Sequence, residues 1–119
     1  MTTQTAFDLA ALSRAISERD ASSQLACYAQ DARVEIVDRD NPPSSPRTLL
    51  GKAAIREWIE DVCARDMTHA VEIQVAGTDT AAFTEACRYP DGTRVLCCAV
   101  LELQHGQISR QVAMQAWDG

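Results

Sequence analysis

Residues 25–59 read LACYAQDARVEIVDRDNPPSSPRTLLGKAAIREWI, and this stretch decides how the rest of the chain is organised. It begins as the end of a helix and continues as a strand, in which Val34, Ile36 and Asp38 share one face. Residues 40–47, DNPPSSPR, follow the strand and hold three prolines. Because proline fixes φ and removes an amide donor, we expect an irregular crossing there.

The clearest helix of the chain follows Gly51. Its apolar side chains recur with helical spacing and predict one stripe that faces a core: Ile55, Trp58, Ile59 and Val62. We therefore expect the ring of Trp58 to be largely buried.

The N-terminal part is predicted to form two more helices. Thr5 is placed to cap the first, and Asp8 three residues later favours its positive end. Asp20 is placed to cap a second, short helix that we extend through residues 28–29. The buried stripe of the first helix is predicted to consist of Leu9, Leu12 and Ile16.

The period of the sequence changes to two after residue 68, which indicates strands. Turn sequences containing glycine, at GTD, PDG and HG, separate the strands and favour an antiparallel meander. The strands are predicted over 68–77, 81–89, 94–103 and 108–117. The sequence therefore predicts a single α+β domain over residues 1–119, in which three N-terminal helices pack on the sheet and leave a pocket between them.

Composition excludes several classes of function. The formal net charge is −6, and Lys and Arg are scattered, so we expect neither nucleic acid nor an anionic membrane as a partner. The N-terminus lacks the basic and apolar regions of a signal peptide. Five cysteines, with Cys97 and Cys98 adjacent, make a disulfide framework improbable and favour a reducing cytoplasm.

Metal and nucleophile motifs are weak in this chain. His69 and His105 lie in different elements, and we expect no metal to be bound. We expect His105 to be solvated; His69 could carry a proton, but a histidine at a strand end is more often solvated. Cys87, Cys97 and Cys98 lie in strands among apolar residues, where cysteine usually acts as a small hydrophobic side chain.

Glu85 is the carboxylate of most interest. It is in phase with Phe83, Cys87 and Tyr89, so it points inward if that set faces the helices. Burial disfavours the charged carboxylate, so an inward Glu85 needs a partner or takes up a proton, which suits acid/base chemistry. The alternative is a surface ion pair with Arg88 or Arg94. Asp38 is a second candidate, although it also suits the start of the proline-rich turn.

Both faces of the strand TRVLCCAVLEL, residues 93–103, are apolar. A sheet with one wet face would alternate with polar residues. We therefore expect the outer face, formed by Leu96, Cys98, Val100, Val112 and Met114, to be covered by a second copy of the chain.

Two segments resemble a known family. YAQDARVEI (residues 28–36) and LLGKAAIREWI (residues 49–59) resemble the Y-A-x-D-A-x-V … G-x-x-x-I-x-x-(F/W) pattern of the NTF2-like superfamily, and HGQI … MQAWD resembles its last hairpin. The chain is most similar to the SnoaL-like and ketosteroid-isomerase-like branch. This resemblance implies a cone-shaped α+β (cystatin-like) fold, a strongly curved and mostly antiparallel sheet, and a pocket. The resemblance predicts activity poorly, because proteins with this fold include isomerases, cyclases, dehydratases, epoxide hydrolases and non-enzymes.

The catalytic residues of ketosteroid isomerase do not carry over. The family's helix-1 tyrosine falls on Leu12, its catalytic aspartate on Ile36 and its protonated aspartate on Ala99. The resemblance therefore argues against steroid isomerisation by that mechanism. Tyr28 carries over as the pocket tyrosine, and Tyr89 and Trp117 match pocket aromatics. Phasing from these matches also places inward Phe83, Glu85, Cys87, Cys97, Ala99, Leu101, Ala113 and Gln115.

Three hypotheses remain open. The first is an enzyme without a cofactor that acts on a hydrophobic, polycyclic or terpenoid-like molecule; Glu85 or Asp38 moves a proton and Tyr28 or Gln115 holds an oxygen. The second is a ligand-binding module of the same fold, and the third is a dimerising accessory protein. The predicted ligand-binding residues are Trp58, Phe83, Cys87, Tyr89, Cys97, Ala99, Gln115 and Trp117.

Overall fold

The computed structural model describes residues 6–119. Helix α1 (Leu9–Ser17) is capped by Asp8, whose carboxylate accepts a hydrogen bond from the Ala11 amide at 3.0 Å. The cap predicted at Thr5 lies outside the described residues. The predicted stripe of Leu9, Leu12 and Ile16 is buried.

Helix α2 (Ala21–Leu25) begins at Asp20 as predicted, with the Asp20 carboxylate accepting from the Ser23 amide at 3.1 Å. The helix is shorter than expected. Residues 28–29 instead begin strand β1 (Tyr28–Val37), so their assignment to the helix was wrong. Hydrogen bonding to the sheet overrides the helix-favouring alanine and glutamine of this segment.

The proline-rich crossing is irregular up to residue 46, but it leads into a short strand that the sequence did not reveal. Strand β2 (Arg47–Leu50) pairs antiparallel with β1. Gly51 then connects β2 to helix α3 (Lys52–Ala64) with φ at +86°, which favours glycine, and its amide donates to the Ala32 carbonyl at 2.9 Å.

The remaining strands form the predicted meander: β3 (Thr68–Ala76), β4 (Thr80–Arg88), β5 (Arg94–Gln104) and β6 (Gln107–Trp117). The sheet has six strands in the order β2-β1-β6-β5-β4-β3. Strands β1 and β6 run parallel, and every other neighbouring pair is antiparallel. The sheet is curved and does not close, with the helices on one side, so the predicted fold class is confirmed.

The core lies between the helices and the concave face of the sheet. Its fully buried side chains include Val34, Ile36, Ile55, Leu101 and Ile108. Trp58 is partly buried and packs against this core, and it also borders a cavity. None of the described helices has the length and apolar character needed to cross a membrane.

Candidate functional site

A cavity of about 100 Å³ lies between helices α1 and α3 and the concave face of β3–β6. All the side chains predicted to bind a ligand line it: Trp58, Phe83, Cys87, Tyr89, Cys97, Ala99, Gln115 and Trp117. Glu85 and Tyr28 line it as well, whereas Asp38 does not.

The strand register explains why these residues meet. Glu85 lies opposite Cys97, and Cys97 lies opposite Gln115 on the next strand. Phe83, Ala99 and Ala113 form the next row, two residues further along each strand.

 In this second row, Ala99 on β5 lies opposite Phe83 on β4 and opposite Ala113 on β6. Because alternate residues of a strand share a face, the concave side of β4, β5 and β6 presents rows of inward side chains to the cavity.

Glu85 belongs to a compact polar cluster in the cavity wall. His69 on β3 lies directly opposite Cys87 on β4, and its Nδ1 is 2.8 Å from Glu85 Oε2 and 3.3 Å from Cys87 Sγ. The Cys87 thiol donates to the same Glu85 oxygen at 2.9 Å. Among the described residues, Glu85 is therefore hydrogen-bonded to His69 and Cys87, and it forms no ion pair with Arg88 or Arg94, the partners that the surface alternative named.

His69 is buried, so the expectation that it is solvated was wrong. Its side chain is 4% exposed, because the β3–β4 pairing turns the ring inward under the helices. The other ring nitrogen, Nε2, is buried without a hydrogen-bond partner within residues 6–119. A buried polar atom without a partner costs about 1–3 kcal/mol, so this histidine is poorly explained as a purely stabilising residue. His105, by contrast, lies exposed in a turn, as predicted.

The two oxygens of Glu85 have different environments. Both hydrogen bonds of the cluster reach Oε2, whereas Oε1 has no partner among the described side chains. Glu85 lines the cavity, and Oε1 is not among the fully buried atoms that lack a partner. One oxygen is therefore held by the cluster, and the other has no such partner among the described side chains.

Cys87 is held as a thiol. Hydrogen bonding with Cys97, burial and the neighbouring Glu85 carboxylate all raise the pKa of Cys87. A thiolate is the reactive form of cysteine, so this environment argues against Cys87 as a nucleophile in the protein as it stands.

A second polar pair lies across β1 and β6. The Tyr28 hydroxyl donates to Gln111 Oε1, and both side chains are buried in the cavity wall. Burial is the main cause that raises the pKa of Tyr28, so the phenol stays protonated. Gln111 was missed by the sequence reasoning because its partner is 83 residues away in the chain. The signal that the sequence offered is its spacing: Gln111, Ala113 and Gln115 are two residues apart, so they share one face of a strand.

Aromatic and charged side chains surround the mouth of the cavity. The rings of Tyr89 and Trp117 stack with centroids 5.9 Å apart, and the Arg39 guanidinium lies 4.1 Å from the Trp117 ring centre. Trp117 Nε1 donates to Gln115 Oε1 at 3.0 Å. Arg65 donates to the Tyr89 hydroxyl at 3.1 Å.

Asp38 has a local structural role. Its Oδ1 accepts hydrogen bonds at 2.9 Å from the amides of Asp40 and Asn41 and from the Asn41 side chain. Partial burial acts in the opposite direction, but these hydrogen bonds together with nearby Arg47 hold the pKa of Asp38 below its usual value. The carboxylate thus stabilises the turn after β1, and it borders the outer groove beside Trp117 rather than the cavity.

The fold and the cavity define a cone-shaped α+β protein with an inward carboxylate, and the comparisons assign its family. The family model of the SnoaL-like domain matches residues 9–111. The chain therefore belongs to the SnoaL-like family, within the NTF2-like branch that its sequence resembles. No curated protein matches the chain.

Several solved structures share the fold. A proposed ketosteroid isomerase from Kribbella flavida DSM 17836 has a TM-score of 0.75 and 20% identity, over 92% of this chain and 74% of that one. An NTF2-like protein of unknown function from Mesorhizobium loti has a TM-score of 0.75 and 16% identity, over 91% and 85% of the two chains. A third, from Burkholderia xenovorans LB400, has a TM-score of 0.74 and 15% identity, over 92% and 79%. Identities this low show a shared fold only.

Proposed function

We propose that this protein is a cofactor-free enzyme that moves a proton on a hydrophobic small molecule bound in the cavity, with Glu85 as the group that takes and returns the proton. The observation that carries the proposal is that the two oxygens of the Glu85 carboxylate have different environments. Oε2 is fixed by His69 and Cys87, Oε1 has no partner among the described side chains, and Glu85 lines a cavity of mainly apolar and aromatic side chains. A positioned carboxylate in such surroundings is suited to general acid/base catalysis.

The amides of β6 supply the complementary group for an oxygen atom. Gln111 Oε1 accepts from Tyr28, and Gln115 Oε1 accepts from Trp117. Both glutamines line the cavity, and the NH₂ group of each remains as a hydrogen-bond donor. Donors fixed in this way stabilise negative charge that develops on a carbonyl oxygen. Tyr28 acts in this arrangement through Gln111.

The favoured reaction class is proton abstraction next to a carbonyl group. Glu85 Oε1 takes the α-proton, the C–H electron pair moves toward the carbonyl oxygen, and the glutamine amides stabilise the resulting enolate. Return of the proton to the same or another carbon gives exchange or isomerisation, and departure of a β-substituent gives elimination. All three outcomes begin with the same step.

Deuterium incorporation tests this first step. Neutral cyclic ketones are incubated in D₂O with the protein, and exchange at the α-carbon is followed by NMR. We expect Glu85→Gln to lower the rate by about 10²–10⁴-fold, the usual contribution of a general base, because glutamine keeps the shape and removes the base. Asp38→Asn is the matched carboxylate control and should retain the rate. Equal rates for wild type and Glu85→Gln would overturn the proposal and favour a non-catalytic binding module.

A homodimer through the outer sheet face is part of the proposed function. Leu96, Val100 and Met114 are 54%, 42% and 43% exposed, and they lie on the adjacent strands β5 and β6. The strand register continues this patch, since Val100 is opposite Val112 and Cys98 is opposite Met114. A second copy with the same apolar face would cover it with an interface above about 1,000 Å². A monomeric mass by sedimentation at micromolar concentration would contradict this.

A reducing compartment, the cytoplasm, is the proposed location. All five cysteines are free thiols. Reduced thiols persist where glutathione and thioredoxin keep them reduced.

A further inference from the structure

The cluster of His69, Glu85 and Cys87 has a second property that proton transfer does not use. Its three donor atoms, an imidazole nitrogen, a carboxylate oxygen and a sulfur, all lie within 4.8 Å of one another. They come from two adjacent strands, whose pairing of His69 with Cys87 fixes their relative position. The donors are therefore brought together by the rigid part of the sheet and not by a loop.

The carboxylate of the cluster lies beside an imidazole and a thiol. Within the described part of the chain, no arginine or lysine forms an ion pair with Glu85. In their metal-binding forms, neutral imidazole, carboxylate and thiolate carry a total charge of −2. A divalent cation would neutralise this charge.

The donor types select the kind of cation. Mg²⁺ and Ca²⁺ prefer oxygen ligands, whereas nitrogen, sulfur and carboxylate oxygen together suit Zn²⁺. Bond lengths of ~2.0–2.3 Å at tetrahedral angles would place the donors about 3.4–3.6 Å apart. The present separations of 2.8, 2.9 and 3.3 Å are those of hydrogen bonds. The cluster therefore needs to open by roughly half an ångström when a metal replaces its shared protons.

We propose that His69 Nδ1, Glu85 Oε2 and Cys87 Sγ form a Zn²⁺ site in the cavity wall, with its fourth position on the cavity side next to Cys97. Starting from a neutral His69 ring, binding releases one proton per metal ion. The Cys87 thiol proton leaves, and the proton of the His69 ring moves from Nδ1 to Nε2. The inference does not rest on the proposed function, because it needs only the three donors. It adds that Zn²⁺ inhibits the acid/base reaction, since a metal-bound carboxylate is a weaker base.

The experiment uses the reduced, chelator-treated full chain. Zn²⁺ is titrated by calorimetry in competition with a chromophoric chelator, and Co²⁺ is used as a spectroscopic substitute. We expect one equivalent of Zn²⁺, release of one proton, and a near-ultraviolet thiolate-to-Co²⁺ charge-transfer band. Cys87→Ser should weaken Zn²⁺ binding by more than the roughly 10–100-fold typical of losing an outer-shell partner. His69→Asn should have a similar effect.

Cys27→Ser is the matched control. Cys27 is also a free thiol, but it lies outside the cavity, where its Sγ is 3.6 Å from the Ser23 carbonyl. This variant should bind Zn²⁺ like wild type. The proposal is overturned if wild type shows no thiolate charge-transfer band, or if Cys27→Ser and Cys87→Ser lose affinity equally. The wild-type spectrum decides even if a cavity variant fails to fold, and it is independent of whether any ketone is turned over.

Discussion

The two faces of strands β4–β6 differ in polarity, because the buried face carries polar side chains and the exposed face carries apolar ones. The concave face, which packs under the helices, carries His69 from the neighbouring β3, Glu85 and Gln111 among its apolar side chains. The convex face carries exposed Leu96 and Val100. An ordinary open sheet shows the reverse arrangement, with polar residues on the wet face.

This comparison separates stability from function. Burying polar groups costs free energy even when they are hydrogen-bonded, and exposing aliphatic groups forgoes the gain of burying them. Neither arrangement is explained by the folding of one chain alone. Polar groups inside a cavity are suited to a ligand, and apolar groups outside are suited to a second copy of the chain.

Among the variants that test the contrast between the two faces, the largest expected effect is on the convex face. Leu96→Glu places a charge in the proposed interface and should weaken dimerisation by roughly 30–100-fold, as expected for loss of about 2 kcal/mol or more at a central interface position. Leu50→Glu is the matched control, because Leu50 is 67% exposed on the edge strand β2. Sedimentation at several concentrations measures the change. Equal dissociation constants for the two variants would remove the convex face from the interface.

A smaller effect is expected from the polar pair of the concave face. Gln111→Leu removes the acceptor of the buried Tyr28 hydroxyl and should lower the free energy of unfolding by about 1–3 kcal/mol. The double variant Tyr28→Phe with Gln111→Leu should recover most of that loss, because no buried polar group is then left unpaired. Chemical denaturation measures both. A double variant as unstable as the single one would mean that the pair itself stabilises the fold.

The smallest effect concerns Asp38, the carboxylate outside the cavity. Its pKa is lowered in the folded protein by hydrogen bonds in the turn. Its contribution to stability is therefore present near neutral pH and is lost as the pH falls through the folded pKa. Wild type should be slightly more stable than Asp38→Asn at pH 7, and the difference should vanish in acid. A difference that grows on acidification would contradict the assigned role.

Local patterns in the sequence were sufficient for most elements of the fold. The stripe of Ile55 and Ile59 predicted helix α3, and period-two alternation predicted the four strands of the meander within a few residues. Strand β2 was missed because four residues are too few to show alternation, and Leu49 and Leu50 adjoin a strong helical pattern. Tyr28 was placed in a helix because β1 owes its length to pairing with β6, which is distant in sequence.

The site was less predictable for the same reason. Strand phase was enough to turn Glu85 inward and to place Gln115 and Trp117 on the same wall. The contact of Glu85 with His69 depends on the register between β3 and β4, which shifts at an irregularity between residues 71 and 74. No local pattern specifies that shift. His69 was therefore expected in solvent when its side chain is in fact buried beside the carboxylate.

The carboxyl-carbon NMR signal of Glu85 tests the central claim most directly. Trp58 and Trp117 are the two tryptophans of the chain and both line the cavity, so their fluorescence reports when a neutral cyclic ketone has saturated it. We predict that the Glu85 carboxyl resonance shifts in step with this fluorescence change while the Asp38 resonance stays in place. A Glu85 resonance that does not move when the tryptophan signal is saturated would contradict the account, because the ligand would then bind without meeting the carboxylate.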